Sequence, residues 1–80
     1  MARSKEEILR DVLEVALEKV NKSRIMYSAN LTYAQLVENL KHLEEKGMIV
    51  KLGGYFVTTE KGRAYILAYK KMLEIMQTGS

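Results

Sequence analysis

The alternation of apolar and polar positions divides the chain into five segments, four of helical period and one of strand period. In "SKEEILRDVLEVALEKVNK", Leu9, Leu13, Ala16 and Val20 fall on one helical stripe, and Ile8, Val12 and Val15 form a second beside it. Ser4 with Glu7 reads as a capping box, so a first helix is expected over 5–21. The stretch "RIMYSANLTYAQL" then holds a short helix over 24–29, packed through Ile25 and Met26. Asn30 turns the chain, because asparagine tolerates the left-handed conformation. Thr32 and Gln35 form a second capping box opening a helix over 33–46 that Gly47 ends. On that helix Tyr33, Leu36, Val37, Leu40 and Leu43 are expected on the apolar arc, opposite Ala34, Gln35, Glu38, Lys41, His42 and Glu45.

After Gly47 the period changes. "MIVKLGGYFVTT" is two β-prone runs about Gly53-Gly54, a two-residue hairpin over 48–58 in which Leu52 opposes Tyr55 and Val50 opposes Val57. A last helix is expected over 60–77, carrying Tyr65, Tyr69, Met72 and Met76 at spacings of four, three and four, with Ile66 and Leu73 alongside. Residues 78–80 read as a polar tail. The order is helix, short helix, helix, hairpin, helix. This predicts one mostly α domain over 1–80, a helix-turn-helix followed by a β-wing.

Eighty residues bury too little surface for a wide stability margin, and with no cysteine there is neither a disulfide nor a thiolate metal site. Association is then the expected reinforcement. The apolar stripe of the last helix, Tyr65, Ile66, Tyr69, Met72, Leu73 and Met76, is the expected seam of a homodimer, with helix one as a second contributor. No stretch has the apolar length of a membrane span or a signal peptide, so a soluble, cytoplasmic protein is expected.

Enzymatic readings find little to work with: one histidine, one aspartate and no cysteine. His42 beside Glu38 and Glu45 is a poor metal set and fits a histidine facing solvent or DNA. No cofactor is expected, and Gly53-Gly54 lacks the Lys-Ser/Thr of a phosphate loop.

The net charge of +3 is unevenly spread. Lys19, Lys22 and Arg24 precede the third helix with no acid among them, and Lys61, Arg63, Lys70 and Lys71 follow the wing in the same way. That pattern suits double-stranded DNA, with the third helix in the major groove and cations on the flanking phosphates. At the start of that helix Thr32, Ala34 and Gln35 are the expected contacts, Gln35 being able to pair with adenine. Glu38, Lys41 and His42 continue the same face, Glu38 as an acceptor for a cytosine amino group. Lys22 and Arg24 are placed for phosphates, as are Lys51, Gly53 and Gly54 on the wing and Lys61 and Arg63 behind it. Each position also has a plainer role. Gln35 can serve only the cap, Lys41 can pair with Glu38 or Glu45, and Lys51 can guard a strand edge.

"KSRIMYSANLTYAQLVENLKHLEEKGMI" with "YFVTTEKGRAYI" resembles the archaeal winged-helix DNA-binding proteins of about ten kilodaltons, the Sulfolobus-type dimeric chromatin-associated family and its regulator relatives. Arg24-Ile25-Met26-Tyr27, Ala29-Asn30-Leu31, Tyr33, and then Thr59, Lys61 and Gly62 carry the likeness, which covers Lys22 to Ile66. It implies a nucleoid-associated homodimer joined through its C-terminal helices, often as an antiparallel coiled coil, and acting as transcription regulator or architectural protein. Asn39 departs from the aromatic that relatives often carry there, and the last helix is short for a rod-like coiled coil. A second reading stays open: a winged helix serving protein assembly without DNA, which Glu38, Glu44 and Glu45 favour.

Overall fold

A computed structural model describes residues 3–78, so Gly79 and Ser80 of the expected tail lie outside the described residues, while Thr78 closes the last helix. The elements are α1 (Lys5–Val15), β1 (Val20–Asn21), α2 (Lys22–Ser28), α3 (Tyr33–Glu45), β2 (Ile49–Leu52), β3 (Tyr55–Thr58) and α4 (Glu60–Thr78). Leu9, Val12, Leu13 and Ala16 of the first segment pack with Ile25, Leu36, Leu40 and Leu43, and Ile49 and Phe56 close the core from the sheet side.

Local chemistry sets most of the boundaries. Ser4 and Glu7 form a reciprocal capping box on α1, and Thr32 and Gln35 form one on α3, with bonds of 3.0–3.1 Å. At the end of α2, Asn30 has φ +56°, its N–H donates to the Tyr27 carbonyl and the Leu31 N–H donates to the Met26 carbonyl. The same double bond recurs after α3 with Gly47 at φ +73°, Gly47 N–H to Glu44 O and Met48 N–H to Leu43 O. Both are Schellman closures, which occupy carbonyls that a helix end leaves free. In the hairpin only Gly53 of the two turn residues has positive φ (+63°), the arrangement of a II′ turn.

The end of α1 differs from the expected Asn21. The helix stops at Val15, and Val20 and Asn21 become a short strand against β3, Val20 opposite Phe56 and Asn21 opposite Tyr55. The cause is distant in sequence. The Thr58 N–H donates to the Ala16 carbonyl at 2.8 Å and its hydroxyl to the Leu13 carbonyl at 2.7 Å, so the end of β3 takes over carbonyls that a longer α1 would have bonded internally. Asn21 in turn caps α2 through its side chain, on the Arg24 N–H at 2.8 Å.

The sheet order is β1-β3-β2, with the expected pairs Leu52–Tyr55 and Val50–Val57. Ile49, Phe56 and Thr58 are buried against the helices, which leaves Val50, Leu52 and Tyr55 on the open face. α4 lies along α1. The Tyr65 hydroxyl donates to the Glu6 carbonyl at 3.1 Å, and the Arg10 guanidinium sits 4.8 Å from the centre of the Tyr69 ring. Burial pushes the Tyr65 phenol up, with Glu6 and Tyr69 adding to the effect. Asp11 holds Arg10 and Arg3, both at 2.8 Å, and Arg3 also donates to the Asn30 carbonyl, tying the corner before α3 to α1.

Candidate nucleic-acid interface

The side chains of α3 divide into three rows. Leu36, Asn39, Leu40 and Leu43 face inward and are buried. Asn39 is tolerated there because its amide donates back to the Gln35 carbonyl at 2.7 Å, which satisfies a polar group in the core. Ala34, Glu38, Lys41 and Glu45 face outward and are exposed. Tyr33 and Val37, expected on the apolar arc, are exposed as well, at 65% and 42%. The buried centre of the helix has rotated toward Asn39, and that brings Tyr33 and Val37 onto the open surface.

Between α3 and the sheet runs a shallow groove lined by Lys22, Val37, Leu40, Lys41, Glu44, Lys51 and Phe56. Its three lysines come from three elements: the first residue of α2, the middle of α3 and strand β2. Lys22 stands in the first turn of α2, where the helix dipole disfavours a cation, and α2 has no acid there to offset it. None of the three lysines has an ion-pair partner within 4 Å among the described residues, so their charges are free to meet an anion. Three lysines against one acid, Glu44, leave the rim net cationic over an apolar floor, which suits a sugar-phosphate strand laid along the groove.

The family model for the winged helix-turn-helix matches residues 2–77. The chain belongs to that family. Among solved structures it is similar to Sso10a-2, described as a DNA-binding protein from Sulfolobus solfataricus, with a TM-score of 0.82 and 24% identity over 94% of this chain and 83% of that one. No curated protein matches the sequence.

Within this winged helix-turn-helix the expected contact residues fall into separate groups. Lys22, Lys41 and Lys51 meet in the groove, and Ala34 and Glu38 stand on the outward row beside it. Gly53 and Gly54 form the wing tip with open space around both. Thr32 and Gln35 are tied to each other by the cap, and Gln35 and His42 are half-buried on the flank away from the groove. Arg24 lines a different concavity with Glu14 and Glu18, apart from the three lysines. Lys61 and Arg63 are exposed on the first turns of α4 and do not line the groove. Sequence reasoning missed Tyr33 and Val37 as surface residues. The signal was Asn39, a polar residue at an inward position.

The expected seam residues also separate. Tyr65 and Ile66 pack on the protomer's own core, Tyr69 is half-covered beneath Arg10, and Leu73 is half-buried. Met72 and Met76 are exposed, and they are joined on the open side of α4 by Leu67 and Ile75. Among the described residues no helix is long and apolar enough to cross a membrane.

Proposed function

We propose that this winged helix-turn-helix protein binds double-stranded DNA as a homodimer, with α3 in the major groove and the wing along the neighbouring backbone or minor groove. The observation that carries this reading is the convergence of Lys22, Lys41 and Lys51 on one groove beside the outward row of α3. The similarity to a protein described as DNA-binding supports it. The positive charge flanks α3 and leaves its outer row nearly neutral, so phosphate contact supplies most of the affinity. A nucleoid-associated protein in the cytoplasm, acting on transcription or on DNA shape, is the role this serves.

Titration of a duplex at about 50 and 200 mM salt tests it. A protein neutralising several phosphates loses roughly a thousandfold or more in affinity over that interval. An affinity unmoved by salt would favour the assembly reading instead, for which the open apolar face of the wing, Val50, Leu52 and Tyr55, would supply the contact.

The dimer seam proposed here is the free side of α4. Ala64, Ala68, Met72 and Ile75, spaced four, four and three, form an exposed stripe of coiled-coil type, flanked by Leu67 and Met76. A Met72→Glu, Ile75→Glu double variant should show half the wild-type mass by light scattering while keeping its helical circular dichroism. An unchanged mass would remove α4 from the seam.

A further inference from the structure

What α3 can read on a duplex depends on the side chains its first half presents. In a helix-turn-helix the N-terminal half of the second helix lies at the base edges. In this chain that half presents Tyr33, Ala34, Val37 and Glu38 to the outside, with no lysine, arginine or asparagine among them. Of the two amide side chains there, Asn39 is buried and bonded to the Gln35 carbonyl, and Gln35 has its side-chain oxygen engaged by the Thr32 N–H at 3.0 Å. Glu38 is therefore the charged group placed to meet a base. Its carboxylate is exposed and makes no ion pair within 4 Å among the described residues, although Lys41 stands three positions on and Lys5 and Arg3 line the same shallow concavity, Arg3 being held by Asp11. A carboxylate on a face that approaches phosphates lowers affinity for every sequence. What it gains is discrimination, because an ionised carboxylate only accepts hydrogen bonds.

In the major groove guanine shows two acceptors, N7 and O6, and thymine shows an acceptor with a methyl group. Adenine sets its amino donor beside the N7 acceptor. Cytosine shows an amino donor with no acceptor on its own edge, so it is the base a lone carboxylate prefers. Ala34, Val37 and Tyr33 around Glu38 offer apolar surface, which suits the thymine methyl. We propose, resting on the DNA-binding reading, that the protein is sequence-selective and that its preferred element is a short pyrimidine run, a cytosine whose amino group Glu38 accepts beside thymines whose methyls touch Ala34 and Val37.

Selection from a pool of random duplexes, followed by titration of matched and mismatched duplexes at one salt concentration, tests the inference. The wild type should enrich a cytosine next to thymines and bind that duplex about tenfold more tightly than one with guanine in place of the cytosine. Glu38→Ala should lose the cytosine preference, keep the thymines, and bind the unselected pool roughly threefold more tightly, since a like charge near phosphates is gone. Glu38→Gln should move the preference toward adenine, which a glutamine amide pairs bidentately. Salt-sensitive retention of the pool with no enriched cytosine, or an enriched cytosine that survives in Glu38→Ala, would overturn the inference and leave DNA binding standing. No retention of the pool by the wild type at low salt would overturn both.

Discussion

Replacing Lys22, Lys41 and Lys51 together by glutamine should lower duplex affinity roughly a hundredfold or more near 0.1 M salt, and should flatten the log–log salt dependence by about five to six, near one per lysine removed with three on each protomer of the dimer. The losses add because the three side chains come from separate elements and each would neutralise its own phosphate. Each single variant should accordingly account for a similar share of the loss. Little of it should come through folding. Lys22 and Lys51 are exposed and unpaired, and removing a cation from the first turn of α2 relieves an unfavourable dipole interaction. Arg24→Gln is the internal comparison. It changes charge by the same amount, but Arg24 stands with Glu14 and Glu18 in a separate concavity, so duplex affinity should fall no more than about twofold, through long-range charge alone. Fluorescence anisotropy with one labelled duplex measures all of these. If Arg24→Gln were as damaging as the triple variant, the duplex would have to lie across the α1–α2 side and the lysine groove would lose its role.

The legibility of this fold followed the range of the interactions that shape it. Capping boxes at Ser4 and Thr32, the left-handed corner at Asn30, the stop at Gly47 and the turn at Gly53 are settled by residues within a few positions of one another, and each was readable from the sequence. The end of α1 was not. Nothing in "VALEKVN" stops a helix, and the stop comes from Thr58, more than forty residues away, whose hydroxyl and N–H reach the Leu13 and Ala16 carbonyls. The composition of the candidate groove was hidden for the same reason. Basic flanks around a capped third helix are a local pattern, whereas the grouping of Lys22 with Lys51, and the exclusion of Arg24, depends on how β1 turns α2 against the sheet. On α4 the aromatic stripe was a true apolar signal. Part of it was spent inside the protomer, since Tyr65 and Tyr69 cover α1, and the stripe left free lies at Ala64, Ala68, Met72 and Ile75.

Gly62 is the position where a single methyl group should cost the most. In helix propensity alone, alanine in the first turns of α4 would gain about 1 kcal/mol over glycine. The packing runs the other way. A Cβ at Gly62 would overlap the Met48 carbonyl oxygen, lie 2.5 Å from the Thr58 Cγ2 and touch the Leu13 Cδ2 at 3.2 Å. The first of these is backbone and cannot swing aside, and that carbonyl already accepts the Thr59 N–H at 2.9 Å. To make room, α4 would have to lift from Met48 and the end of β3. Lifting strains the Thr59 hydroxyl, which accepts from the Gly62 N–H at 3.2 Å while donating to the Gly47 carbonyl at 2.7 Å. Overpacking of this kind outweighs the propensity gain, so Gly62→Ala should destabilise the fold by about 2–3 kcal/mol. For a domain of this size that is a fall of roughly 10–20 °C in Tm, read by thermal circular dichroism. Gly54→Ala at the wing tip is the control, since Gly54 has nothing within 4 Å and no positive φ, and it should shift Tm by about 4 °C or less. A Gly62→Ala variant as stable as wild type would mean that α4 can rock away from the sheet without penalty, and the close seating of its first turn would no longer explain how the last helix is held.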